Sequence, residues 1–138
     1  MKTQQVNLWG SRSASFWLTA LVAVGIILLG LRFMLAPAAG AYGFGIPLPA
    51  TGGAIAYGYI KGIRDVYSGV VVLIFLLLRK PRATAIAFGA AIIIPVSDFF
   101  TVLSVNGAKD VQHLLIHGIT AVYMIVTSIF LFKANPKN

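Results

Sequence analysis

The sequence predicts an all-α fold: a four-helix transmembrane bundle with both termini on the same, cytoplasmic side. Three observations carry this. Of the 138 residues, 59% are hydrophobic and only 10% are charged, where an ordinary soluble domain has about a quarter charged. Apolar runs long enough to cross a hydrocarbon core of about 30 Å recur along the chain. Proline, glycine and short basic turns punctuate them. The mean hydropathy of +0.91 agrees.

Composition also excludes. The chain has no cysteine, which removes disulfides, thiolate metal sites and thiol catalysis. The net charge of +8 does not read as nucleic-acid binding. The basic residues fall at helix ends, where orientation signals and anionic headgroups account for them.

The first span is expected over 13–35, with Arg32 near its far end, where a long side chain can snorkel. The run from Phe16 to Leu31, followed by Ala36-Pro37-Ala38, has some signal-peptide character. Its apolar core exceeds the usual 7–15 residues, and further spans follow, so it is read as a helix that stays. Trp9, Trp17, Tyr42, Tyr57 and Tyr59 read as interfacial aromatics.

Residues 36–56 are apolar but broken by Pro37, Pro47 and Pro49 and by glycines, and are expected to form an interfacial loop. Phe44, Ile46 and Leu48 are its candidates to cover one end of the bundle. The second span, 57–78, ends at the basic turn Arg79-Lys80-Pro81-Arg82. The third, 83–105, contains Pro95, which leaves the carbonyl near Ala91 without its helical donor. The fourth covers 111–132. Four spans give a single membrane domain over 1–138. Seven of the eleven basic residues (Lys2, Arg12, Arg79, Lys80, Arg82, Lys133, Lys137) then share the side of the termini, which the positive-inside rule makes cytoplasmic.

The second span carries Lys61, Arg64 and Asp65 within its length. Each ionised group at bilayer depth costs about 2.5–3.5 kcal/mol on insertion scales, so such groups face protein or a wet cavity. Counted at about 1.5 Å per residue from the inner anchors, Asp65 lies about 21 Å up, and Asp98 and His117 about 24 Å up. Gly58, Gly62, Asp65 and Gly69 share one stripe, which lets another helix approach closely. His113, His117 and Thr120 share a stripe on the fourth helix. The expected result is one buried polar layer of Lys61, Arg64, Asp65, Asp98 and His117, two bases balancing two acids if the histidine is neutral.

These residues also carry a likeness. Lys61-Gly62-Ile63-Arg64-Asp65-Val66-Tyr67-Ser68-Gly69, then a basic turn, Ile94-Pro95-Val96-Ser97-Asp98 and His117-Gly118, resemble a family of small four-span integral membrane proteins classed as a domain of unknown function. The loop Phe44-Gly45-Ile46-Pro47 resembles it too. The likeness covers nearly all of the chain beyond the first helix. It implies a four-helix membrane protein and brings no catalytic assignment.

The leading functional reading is binding, or acid–base conversion, of a small amphiphilic ligand in the outer half of the bundle. Asp98, His117 and Asp65 are the candidate catalytic residues. Arg64, Lys61, Ser68, His113 and Thr120 are the candidate binding residues. Arg64 either holds an anionic group or keeps Asp65 ionised. The plain structural reading makes Arg64–Asp65 and Asp98–His117 buried pairs that fix helix register. An accessory subunit of a membrane complex, and an oligomeric proton or small-solute transporter, are the alternatives. A homo-oligomer would use the glycine stripe. His113, His117 and Asp98 have the types and spacing of a metal site, but no second cluster supports one, and no cofactor is implied. The bilayer is the one partner composition demands.

Overall fold

The computed structural model describes residues 9–49 and 51–134. Lys2 and Lys137, two of the expected inner basic residues, lie outside them. All regular structure in the described residues is helical. α1 spans Ala14–Leu35, α2 Pro37–Phe44, α3 Gly52–Leu77, α4 Pro81–Ala90, α5 Ile93–Asn106 and α6 Val111–Lys133. By length and composition three stretches of the described residues can cross a membrane: α1, the α4–α5 stretch Pro81–Asn106, and α6. α3 is the longest helix at 26 residues, and its three ionised residues set it apart.

Local chemistry explains the boundaries. Pro37 and Pro81 open α2 and α4 at their first turns, where a missing N–H costs nothing and φ is already helical. The segment expected as loop therefore contains a two-turn helix, which ends at Gly45 with φ 103°. That left-handed position favours glycine. α3 begins earlier than expected because Thr51 caps it, accepting from the Ala54 N–H at 3.4 Å. The third apolar stretch is broken at Ala91 and Ile92, one turn before Pro95. The Ala91 carbonyl is not left free. It accepts from the Ile94 N–H at 3.0 Å, a tighter turn that takes over the bond Pro95 cannot make.

α1 and α3 pack antiparallel at backbone distance. A Cβ on Gly62 would stand 2.6 Å from the Gly30 carbonyl oxygen, and one on Gly69 would stand 2.6 Å from that of Ala23. Gly58 lies against Pro37 and Leu48. The glycine stripe is thus occupied within the chain.

The apolar core fills the half of the molecule around the start of α1 and the ends of α3 and α6, with Val72, Leu76, Phe88, Met124 and Leu131 at its centre. Trp9, expected at the interface, is only 5% exposed. Its ring meets Phe16 edge-on at 5.7 Å and its Nε1–H donates to Ser15 Oγ at 3.0 Å, so a buried partner holds the indole. Trp17 remains 60% exposed, as the interfacial reading requires. The Tyr123 hydroxyl donates to the Leu18 carbonyl at 3.0 Å and ties α6 to α1.

Candidate functional site

Lys61, Arg64, Asp65 and Asp98 gather at the other end, where the first half of α3, α5 and the end of α2 meet. A cavity of about 490 Å³ opens there. Its polar wall is Lys61, Arg64, Asp65 and Ser68 from α3 with Ser97, Asp98 and Thr101 from α5. Its apolar wall is Phe44, Tyr57, Ile60, Ile93 and Ile94. Toward the core the space closes: the next gap, among Val72, Phe88, Met124 and their neighbours, holds about 10 Å³. That is room for at most one water molecule.

Asp65 is paired with Lys61, whose Nζ lies 3.0 Å from Oδ2. Arg64 does not take that role. Consecutive helix residues point about 100° apart, whereas residues four apart stack on one face. The Lys61 ammonium also sits 5.1 Å from the ring centroids of both Phe33 and Phe44, within cation–π range. Arg64 lines the cavity and is exposed, and has no side-chain partner among the described residues. Ser68 is in the wall, its hydroxyl donating to the Arg64 carbonyl at 2.9 Å.

His117 is 8% exposed and stands between two partners. Its Nε2 is 3.0 Å from the Phe44 carbonyl oxygen, and its ring lies 4.8 Å from the Phe44 ring. A carbonyl only accepts, so Nε2 carries the hydrogen. In the neutral ring Nδ1 is then a bare lone pair, and it faces Asp98 Oδ2 at 4.0 Å. One proton on either partner turns that repulsion into attraction. Lys61–Asp65 is the close ion pair of this wall, and no acid lies within ion-pair distance of Arg64 among the described residues.

Two expected binding residues are elsewhere. His113 turns to Asp110, with Nδ1 2.7 Å from Oδ1, at the start of α6. Thr120 spends its hydroxyl proton on the Ile116 carbonyl at 2.7 Å and does not line the cavity. The two histidines, four residues apart, serve different partners. Asp110 caps α6, and its carboxyl is held below the usual carboxylate range by the Asn106 side chain first and by His113 second.

Asn106 was not foreseen. Its Nδ2 donates to the Gly45 carbonyl at 2.6 Å and to Asp110 Oδ2 at 2.5 Å. The final carbonyls of α2, which have no helical donors, are thus bound by His117 of α6 and Asn106 of α5. Phe44 is held over the charged layer in consequence.

The family described as "Domain of unknown function (DUF4267)" matches residues 23–131, from within α1 almost to the end of α6. The chain belongs to this family. The DUF4267 match covers α2, the cavity walls and the clamp between α2 and α6. The likeness seen in Gly62-Ile63-Arg64-Asp65, Pro95-Val96-Ser97-Asp98 and His117-Gly118 is borne out. No curated protein and no solved structure matches the chain.

Proposed function

We propose that this DUF4267 protein is a four-span membrane protein that binds a small amphiphile in the α3–α5 cavity and moves a proton on it. The observation that carries the reading is the cavity itself. Its volume of about 490 Å³ is in the range of small-molecule sites, about 300–1,000 Å³, and it joins a charged wall to an apolar one. An amphiphile sets its polar end at the charged layer and its chain against Ile60, Ile93 and Ile94. Asp98 is in the wall and His117 stands behind it. Asp98 exchanges the proton with the ligand, and His117 Nδ1 holds or returns it. The Phe44 carbonyl keeps the working nitrogen turned the right way.

The fourth span is α3. At about 1.5 Å per residue its 26 residues reach about 39 Å, more than the hydrocarbon core requires. Contacts of Gly62 with Gly30 and of Gly69 with Ala23 lay it along α1, so that a membrane crossed by one is crossed by the other. Four crossings return the C-terminus to the side of the N-terminus. The excess of basic residues there favours the cytoplasm.

The test is mass spectrometry of small molecules retained by the gently extracted protein. Wild type should carry a defined amphiphile. Ile94→Trp, which fills the cavity, and Asp98→Asn, which removes the proton store, should lose it while remaining folded. The same bulk lipid in all three would refute the reading.

A further inference from the structure

We infer that the head of the ligand is an anion, a carboxylate or phosphate, and that Arg64 is the residue that selects it. This rests on the cavity reading above and deepens it. The argument is one of charge. Lys61 is engaged by Asp65 at 3.0 Å and by two aromatic faces at 5.1 Å. The ion-pair contact of Asp98 among the described residues is His117 Nδ1 at 4.0 Å, not Arg64. Arg64 alone lines the cavity without an acid. A guanidinium cannot shed its proton, and at membrane depth an uncompensated charge is costly. No acid of the described residues lies within ion-pair distance of Arg64, and an anionic group entering the cavity would supply the missing partner. The planar fork of Arg64 fits the two oxygens of a carboxylate or phosphate.

The neighbouring hydroxyls agree. Ser68 donates to the Arg64 carbonyl at 2.9 Å and Thr101 donates to the Ser97 carbonyl at 2.7 Å. Both therefore hold their hydrogens against their own helices and turn lone pairs outward. Neither offers a competing donor, which leaves Arg64 as the free charged donor of this wall. Two sources share the headgroup chemistry: a single-chain fatty acid or alkyl phosphate, and a bilayer phospholipid.

The experiment is thermal unfolding of the full chain, stripped of lipid in a maltoside detergent. Dodecanoate, dodecyl phosphate, dodecanol, dodecyltrimethylammonium and phosphatidylglycerol are titrated into wild type, Arg64→Gln and Ser97→Trp, which obstructs the cavity. The anions should raise the midpoint saturably and the alcohol and cation should not. In Arg64→Gln the apparent affinity for the anions should fall roughly ten- to a hundredfold, the worth of a charge-assisted hydrogen bond. A response to the single-chain anions names a free amphiphile as the source. A response to phosphatidylglycerol alone names the bilayer, and either supports the inference. Dodecanol matching dodecanoate, with both effects lost in Ser97→Trp, overturns the anion assignment and leaves the cavity reading standing. An Arg64-dependent anion response that survives Ser97→Trp overturns the cavity reading itself.

Discussion

Adding one methyl group at Gly62 tests whether the α1–α3 contact holds the molecule together. An alanine Cβ there would stand 2.6 Å from the Gly30 carbonyl oxygen, 2.6 Å from Met34 Cγ and 3.0 Å from the Met34 backbone nitrogen. The methionine side chain can swing away, but the two backbone atoms cannot. Restoring ordinary contact at 3.4 Å requires a local separation of 3.4 − 2.6 = 0.8 Å. Overpacking of this kind costs about 1–3 kcal/mol, and the better helix propensity of alanine returns about 1 kcal/mol. The expected net loss for Gly62→Ala is about 0–2 kcal/mol. Gly25, in α1, has no heavy atom within 4 Å of its would-be Cβ. Gly25→Ala should therefore be neutral or gain up to about 1 kcal/mol. Reversible unfolding in mixed micelles, followed by far-ultraviolet circular dichroism, measures both. Equal stability of Gly62→Ala and Gly25→Ala would refute the claim that backbone contact between α1 and α3 matters.

Three further outcomes follow from the same structure. Asn106→Ala leaves the buried Gly45 carbonyl without its donor, a loss of about 1–3 kcal/mol; hydrogen exchange should quicken at the amides of α2 and Gly45 while α1 and α3 keep their protection, and unchanged exchange in α2 would show that the clamp is idle. Asp110 has a lowered carboxyl pKa, so its contribution is complete above the ordinary carboxylate range and disappears as pH falls through the lowered value. An acid titration of stability should show that limb in wild type and a flatter one in Asp110→Asn. The chain has no cysteine, so Lys80→Cys and Lys109→Cys, at two exposed turns, each carry a single thiol. In intact cells only Lys109→Cys should react with a membrane-impermeant maleimide, and labelling of both or of Lys80→Cys alone would refute the proposed sidedness.

Much of the charged layer was legible because ionised groups in an apolar chain have few places to go. Residue counting and face matching grouped Lys61, Arg64, Asp65, Asp98 and His117; the first four line one cavity, and His117 stands behind Asp98 outside its lining. The pairing within it was read less well. Neighbours in sequence suggested Arg64 for Asp65, although the four-residue spacing to Lys61 was visible and is the geometry a helix favours. His113 was drawn toward the site by its stripe, while Asp110 three residues before it is an ordinary capping signal. Thr120 lies on that same stripe, but a hydroxyl in a helix can satisfy itself on the preceding turn. The role of Phe44 had the weakest signal. It acts through a main-chain carbonyl and a ring contact, and no residue type announces a carbonyl.

That carbonyl grip has a consequence for how α2 finds its place. His117 and Asn106 hold oxygen atoms that every residue possesses, so the grip itself is blind to the identity of what it holds. Shifted by one residue, another pair of carbonyls could be offered in the same way. What distinguishes the correct seating is a missing atom. A Cβ on Gly45 would stand 2.7 Å from His113 Cγ, so of the residues at this end only a glycine can be pressed against that ring. The lock recognises its key by an absence, and filling it by Gly45→Ala would act as a misfitting key, shutting α2 out without touching either residue that holds it.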